Sequence, residues 1–217
     1  MKKFERVEII IKRLEEIYPD TPIPLDHQND FTLLVAVVLS AQSKDKKVNE
    51  LTQKLFKIAS SAEEMYRLGE ENIYNFIKQL GLAKTKAKNI YKLSKIIHQK
   101  YNNILPNSYK ELESLPGVGH KTASVVMSQV FGVPAFPVDT HIHRLSQRWG
   151  LTSGNNVLQT EKDLKKLFPK KLWNKLHLQI IFYGREYCSS RGCDGTICKL
   201  CKELYPVRNK PVICLKA

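Results

Sequence analysis

Residues 115–144 read LPGVGHKTASVVMSQVFGVPAFPVDTHIHR, and the rest of the chain is organised around them. Leu115-Pro116-Gly117-Val118-Gly119 is a tight, glycine-punctuated turn that opens into an apolar helical run from Lys121. Further on, Asp139 stands where a second helix, Thr140 to Trp149, should begin. A glycine turn at the head of a helix lets backbone N–H groups approach a phosphate, and the helix dipole favours that anion. Lys121 falls in the first turn, at the positive end of that dipole, and an amine is a nucleophile only when neutral. The stretch therefore sets a candidate phosphate cradle, Gly117, Val118 and Gly119, beside a candidate amine nucleophile. Without that chemistry, the glycines only turn a corner between helices and Lys121 is a surface lysine.

Outward from this stretch, charge and composition bound the partner. The 35 Lys and Arg against 21 Asp and Glu leave a net charge of +14. Such a field raises affinity for any polyanion, with nucleic acid the commonest and a membrane surface or ribosome as competitors. Hydrophobic residues make up 42% of the 217, which argues for a buried core and against a disordered chain. No apolar run reaches the ~18 residues of a membrane span. The Met1-Lys2-Lys3 start carries no signal-peptide apolar region, so the expectation is a soluble, intracellular protein of the cytoplasm and nucleoid.

Helical periodicity runs the length of the chain. Phe4, Val7, Ile11, Leu14 and Tyr18 recur at helical steps, and Pro19, Pro22 and Pro24 end that first helix. Asp30 is the expected N-cap of FTLLVAVVL, residues 31–39, which is apolar on every face and belongs inside a domain. Ser61 with Glu64 predicts a capping box. In GLAKTKAKNIYKLSKII, residues 81–97, one face carries Ala87, Ile90, Leu93 and Ile97. Lys84, Lys86, Lys88, Lys92 and Lys95 dominate the remainder, a face for phosphates or simply for solvent. Lys162, Lys165, Lys166, Lys170, Lys171 and Lys175 form a second basic region. No stretch alternates as a strand would, so the expected fold class is all-α.

All five cysteines lie between Cys188 and Cys214, in the pattern Cys188-x4-Cys193-x4-Cys198-x2-Cys201-x12-Cys214. A disulfide framework would be dispersed through a small secreted chain, whereas this clustering reads as metal or cluster ligation.

Taken as strings, LPGVGxKTA and PVDTHIHR resemble the helix-hairpin-helix DNA glycosylases, most closely the endonuclease III family, and the resemblance covers nearly the whole chain. It implies an all-α, two-domain architecture: residues 23–133 holding the hairpin, and residues 1–22 with 134–217 carrying the cysteines, the active site lying in the cleft between. It assigns Lys121 as the nucleophile toward the damaged nucleoside and Asp139 as its assistant. It makes Gln42, in Ser40-Ala41-Gln42, the group that enters the duplex gap left by an extruded base, and Leu82 an apolar wedge. Gly117, Val118 and Gly119 would grip DNA backbone, with His141 and Arg144 touching phosphate or packing. Lys44 departs from the pattern, standing where a small threonine is expected. The family's four-cysteine 4Fe–4S site is matched by Cys188 and by the pair Cys198 and Cys201. The gap between Cys188 and Cys198 is longer than the family's, and its last ligand would fall at Val207 and is missing. Cys193 is the expected fourth ligand, ahead of Cys214, which lies across a long polar segment. A modified 4Fe–4S cluster, zinc or no metal are the options in that order. The implied activity is that of a bifunctional DNA glycosylase and abasic-site lyase. It would act as a monomer on oxidised pyrimidines in double-stranded DNA, with no membrane partner. The alternatives are an 8-oxoguanine-type lyase and a non-catalytic DNA-binding module.

Overall fold

The computed structural model describes residues 1–217, and every regular element in it is a helix. The chain divides into two compact units, Ile23–Val133 and Met1–Pro22 together with Pro134–Ala217.

The first unit is built around α2 (Asp30–Ser40), whose residues from Phe31 to Leu39 are all buried. Helices α3 (Asp45–Phe56), α6 (Ala83–Tyr101) and α8 (His120–Gln129) pack against it, as a helix with no polar face requires. Fully burying a leucine such as Leu34 or Leu39 contributes about 1.5–3 kcal/mol, so each such residue of this helix adds to the unit's stability. Helices α4 (Ala62–Leu68) and α5 (Glu70–Ile77) cover α6, and α7 (Tyr109–Glu113) pairs with α8.

The N-cap of α2 is Asn29, one residue before the aspartate expected from sequence. Its side-chain oxygen accepts the Thr32 N–H at 2.9 Å, and Thr32 Oγ1 accepts the Asn29 N–H at 2.9 Å. This reciprocal pair needs a hydroxyl at the third helical position, which Thr32 supplies for Asn29. Asp30 instead lies in the first turn, where its charge meets the helix dipole. The capping box expected at Ser61 is present, with the Glu64 carboxylate accepting the Ser61 N–H at 3.0 Å.

In the second unit, α1 (Lys3–Ile17) lies on α11 (Trp173–Glu186) and α12 (Lys199–Leu204). Helices α9 (Thr140–Arg148) and α10 (Val157–Leu167) complete the unit, and a 3₁₀ turn at Lys170–Leu172 leads into α11. Trp149, Tyr183 and Phe136 are the largest side chains of its core. The buried stripe of α1 is Arg6, Val7, Ile10 and Leu14, turned away from Phe4, which is 67% exposed. Arg6 takes that side because its guanidinium bonds the Gly150 carbonyl at 3.0 Å and lies over the Tyr205 ring. Gly184 lets α11 approach α9 closely, since a Cβ there would sit 3.1 Å from that of His141.

The capping assignment has a direct check in urea unfolding. Asn29→Ala should lower stability by about 1 kcal/mol, and Asp30→Ala by about half that through the dipole alone. The reverse order would place the cap at Asp30.

Candidate functional site

The hairpin is set by sterics at its turn. Ser108 caps α7, and the buried Leu112, Leu115 and Val118 pin the segment into the core. Gly117 has φ +81°, and a Cβ there would also lie 2.9 Å from Asn89 Nδ2 on α6, so only glycine fits both the backbone and the space. Gly119 is the N-cap of α8 and offers no side chain to its first N–H groups, which is what an anion-binding helix head requires. Lys121, the second residue of α8, is exposed beside that head.

Two further turns of the same unit carry Gln42 and Leu82. Both residues are left-handed, φ 53° and 58°, and both side chains are exposed, Leu82 to 59%. Backbone of that kind costs about 1–3 kcal/mol at a non-glycine residue and persists only where surrounding contacts enforce it. The turns touch: a Cβ on Gly81 would stand 3.7 Å from the Gln42 carbonyl oxygen. Lys44 is exposed at the N-cap of α3. Of the lysines expected on the basic face of α6, Lys84, Lys88, Lys92 and Lys95 are exposed, but Lys86 is buried. Its ammonium has turned inward to bond main-chain oxygens at the end of α2, and desolvation lowers its pKa.

In the other unit, Asp139 is the N-cap of α9, and its Oδ1 accepts the N–H groups of His141 and Ile142, each at 2.9 Å. His141 is half-buried, and that desolvation lowers its pKa against the opposing pull of Asp139. Arg144 donates from Nη2 to the carbonyls of Gly184 and Cys188, each at 3.0 Å. One turn on, Arg148 donates from Nη1 to the Cys188 carbonyl at 3.1 Å, to its sulfur at 3.2 Å and to the Ser189 carbonyl at 2.9 Å. Helix α9 therefore carries the aspartate at its head and, along one side, two arginines that hold the start of the cysteine loop.

The Sγ atoms of Cys188, Cys193, Cys198 and Cys201 converge to within 4.8 Å of one another, and all four residues are buried. Cys214 stands apart, its sulfur 3.7 Å from the Arg144 carbonyl. Hydrogen bonds from Cys188 and Cys201 push the Cys198 thiol down to about 2, while its bond to Cys198 pushes Cys188 up to about 12. Four buried, convergent sulfurs form a soft donor set that suits zinc or an iron–sulfur centre.

Residues 35–170 match the family described as HhH-GPD superfamily base excision DNA repair protein. The endonuclease III of Rickettsia felis is 42% identical over 208 residues, which span 94% of this chain and 97% of that protein. That of Bacillus subtilis is 41% identical over 207 residues, 94% of each chain. The chain belongs to the endonuclease III family. Among solved structures, a trapped endonuclease III–DNA covalent intermediate superposes with a TM-score of 0.86 at 39% identity, covering 92% of this chain and 94% of that one.

Within this family member, several site features left no readable signal in the sequence. Lys86 looks like one more surface lysine, and the partner of Arg148 lies 40 residues away. Tyr183-Gly184-Arg185 is legible as the family's lead-in to Cys188, but not that the Tyr183 hydroxyl accepts the Leu200 N–H at 3.2 Å. The short helix α12 that carries Cys201 has too few residues to show a period. As a test of whether the four-cysteine cluster holds a metal, Cys193→Ser should lose most bound metal by elemental analysis and Cys214→Ser should keep it. Loss in Cys214→Ser alone would move the fourth ligand.

Proposed function

We propose that this base excision repair enzyme is a bifunctional DNA glycosylase and abasic-site lyase for oxidised pyrimidines, with Lys121 as its nucleophile. The observation that carries the reading is the exposed Lys121 at the head of α8, next to a glycine turn whose N–H groups suit a phosphate. The endonuclease III trapped as a covalent DNA intermediate supports it, since an enzyme that forms such a bond needs a nucleophile.

The chemistry follows from that amine. The damaged base leaves the stack, which is least costly at a damaged pair. The Lys121 nitrogen bonds C1′ as the C1′–base bond breaks, and the departing base takes up a proton. Ring opening gives an iminium at C1′. This acidifies the C2′ proton, whose loss expels the 3′ phosphate oxygen and cuts the strand by β-elimination. Asp139 stabilises positive charge developing at the sugar and moves protons. A carboxylate has two oxygens, so capping α9 through Oδ1 is compatible with that work.

Gly117, Val118 and Gly119 present the phosphate cradle, and Gln42 and Leu82 enter the duplex, where a carboxamide both donates to and accepts from the orphaned base. Lys84, Lys88, Lys92 and Lys95 add a basic face. Arg144 and His141 act through the loop and helix that they pack rather than as leading phosphate contacts. The four convergent cysteines hold a 4Fe–4S cluster, which would tie the loop to α9 and supply no step of base release or elimination. One observation favours zinc as the rival: the 3.9 Å between the sulfurs of Cys188 and Cys201 is close to the ~3.8 Å edge that Zn–S bonds of about 2.3 Å give a tetrahedron.

Lys121→Gln should abolish base release and the borohydride-trapped complex while binding of an abasic-site analogue persists; trapping that survives would assign another amine. Asp139→Asn should cut turnover sharply while retaining most of the fold. Duplex affinity should fall with salt by about −0.9 in the log–log slope for each phosphate neutralised, and a flat response would contradict phosphate-led binding. Anaerobically purified protein should be brown and carry about four irons per chain, whereas a colourless protein with one zinc would establish the rival.

A further inference from the structure

We propose that Lys86 is a positioning residue that locks the Gln42 turn to the Leu82 turn, so that the two duplex-entering side chains act as one rigid wedge. The inference rests on the reading that Gln42 and Leu82 enter the duplex.

Its geometry is specific. Lys86 is 4% exposed, and its Nζ donates to the carbonyls of Leu39 at 2.9 Å and Ala41 at 2.6 Å and to Ser43 Oγ at 2.9 Å. An ammonium has three donors, and all three are used here. Two of those acceptors flank Gln42 in the chain. Holding the Ala41 carbonyl and the Ser43 hydroxyl inward leaves the Gln42 side chain, at φ 53°, exposed. The main chain of Lys86 completes the link, because its N–H donates to the Leu82 carbonyl at 2.9 Å. One residue thus bonds both left-handed turns, which lie side by side, position 81 within contact distance of the Gln42 carbonyl oxygen.

Strain gives the arrangement its purpose. Left-handed backbone at glutamine and at leucine is unfavourable, so each turn relaxes unless something enforces it. A cation at the carbonyl end of α2 also interacts favourably with that helix's dipole, which offsets part of the cost of burying it. A residue needed only to cap α2 would not have to reach past Gln42 to Ser43.

Lys86→Met keeps the apolar stem and removes the three donors. In single-turnover assays it should slow excision of a damaged base from duplex by about tenfold or more. Cleavage of a preformed abasic site in single-stranded DNA, which needs no base extruded from a duplex, should change by less than about twofold. In a Gln42→Ala/Leu82→Ala background, Lys86→Met should produce no further loss, because the three residues act as a unit. Ser43→Ala, which removes one acceptor, should give a smaller loss with the same selectivity; it carries the comparison if Lys86→Met fails to fold. Equal loss in both reactions, or a full additional loss in the double-variant background, would make Lys86 a fold residue only and overturn the inference. If Gln42→Ala/Leu82→Ala itself excises at the unaltered rate, the duplex-entry reading has failed. That result is visible without any Lys86 variant, and it removes this inference too.

Discussion

A helix buried on every face must have its end groups satisfied by the protein around it, and α2 is such a helix from Phe31 to Leu39. At its head, Asn29 and Thr32 satisfy each other's N–H groups. At its tail, the ammonium of Lys86 reaches in from α6 and takes the carbonyls of Leu39 and Ala41. The second solution has the wider consequence. It fixes the turn that displays Gln42 and ties α6 to α2 just where Leu82 begins α6. Desolvating a charged lysine is unfavourable, and it is tolerated because all three donors are bonded.

The same economy of helix ends recurs across the proposed site. Asp139 caps α9, and Gly119 leaves the head of α8 without a side-chain cap, so the proposed nucleophile sits in a first turn and its proposed assistant at a cap. One helix end is closed by a carboxylate and the other has no side-chain cap. The cysteine loop depends on α9 as well, through Arg144 and Arg148, whose hydrogen bonds end on Cys188 and Ser189. Charged donors on buried carbonyls are among the stronger hydrogen bonds, which makes the loop's first turn an extension of the helix.

Where a signal is local, the sequence carries it. The capping box of Ser61 and Glu64, the cap at Asp139 and the unbroken apolar run of α2 are all legible, because each depends on neighbours within a few residues. The cap of α2 is off by one for a similar reason: Asn29 and Asp30 are both good caps, and the choice turns on Thr32. The stripe of α1 is rotated because Gly150 and Tyr205, remote in sequence, reward Arg6 instead of Phe4. Lys86 is the largest departure. Its acceptors lie 43 to 47 residues away, and nothing near it distinguishes it from the exposed lysines on the same helix. The grouping of Cys193 with Cys188, Cys198 and Cys201 is a matter of loop path, which spacing alone leaves open.

That a single amine at the head of α8 carries the chemistry is the centre of this account, and it has a direct chemical test. The complex trapped by borohydride on an oxidised-pyrimidine duplex can be digested and the deoxyribose adduct located by peptide mass spectrometry. The adduct should lie on Lys121 and nowhere else. An adduct on another lysine, or on the N-terminal amine, would contradict the account.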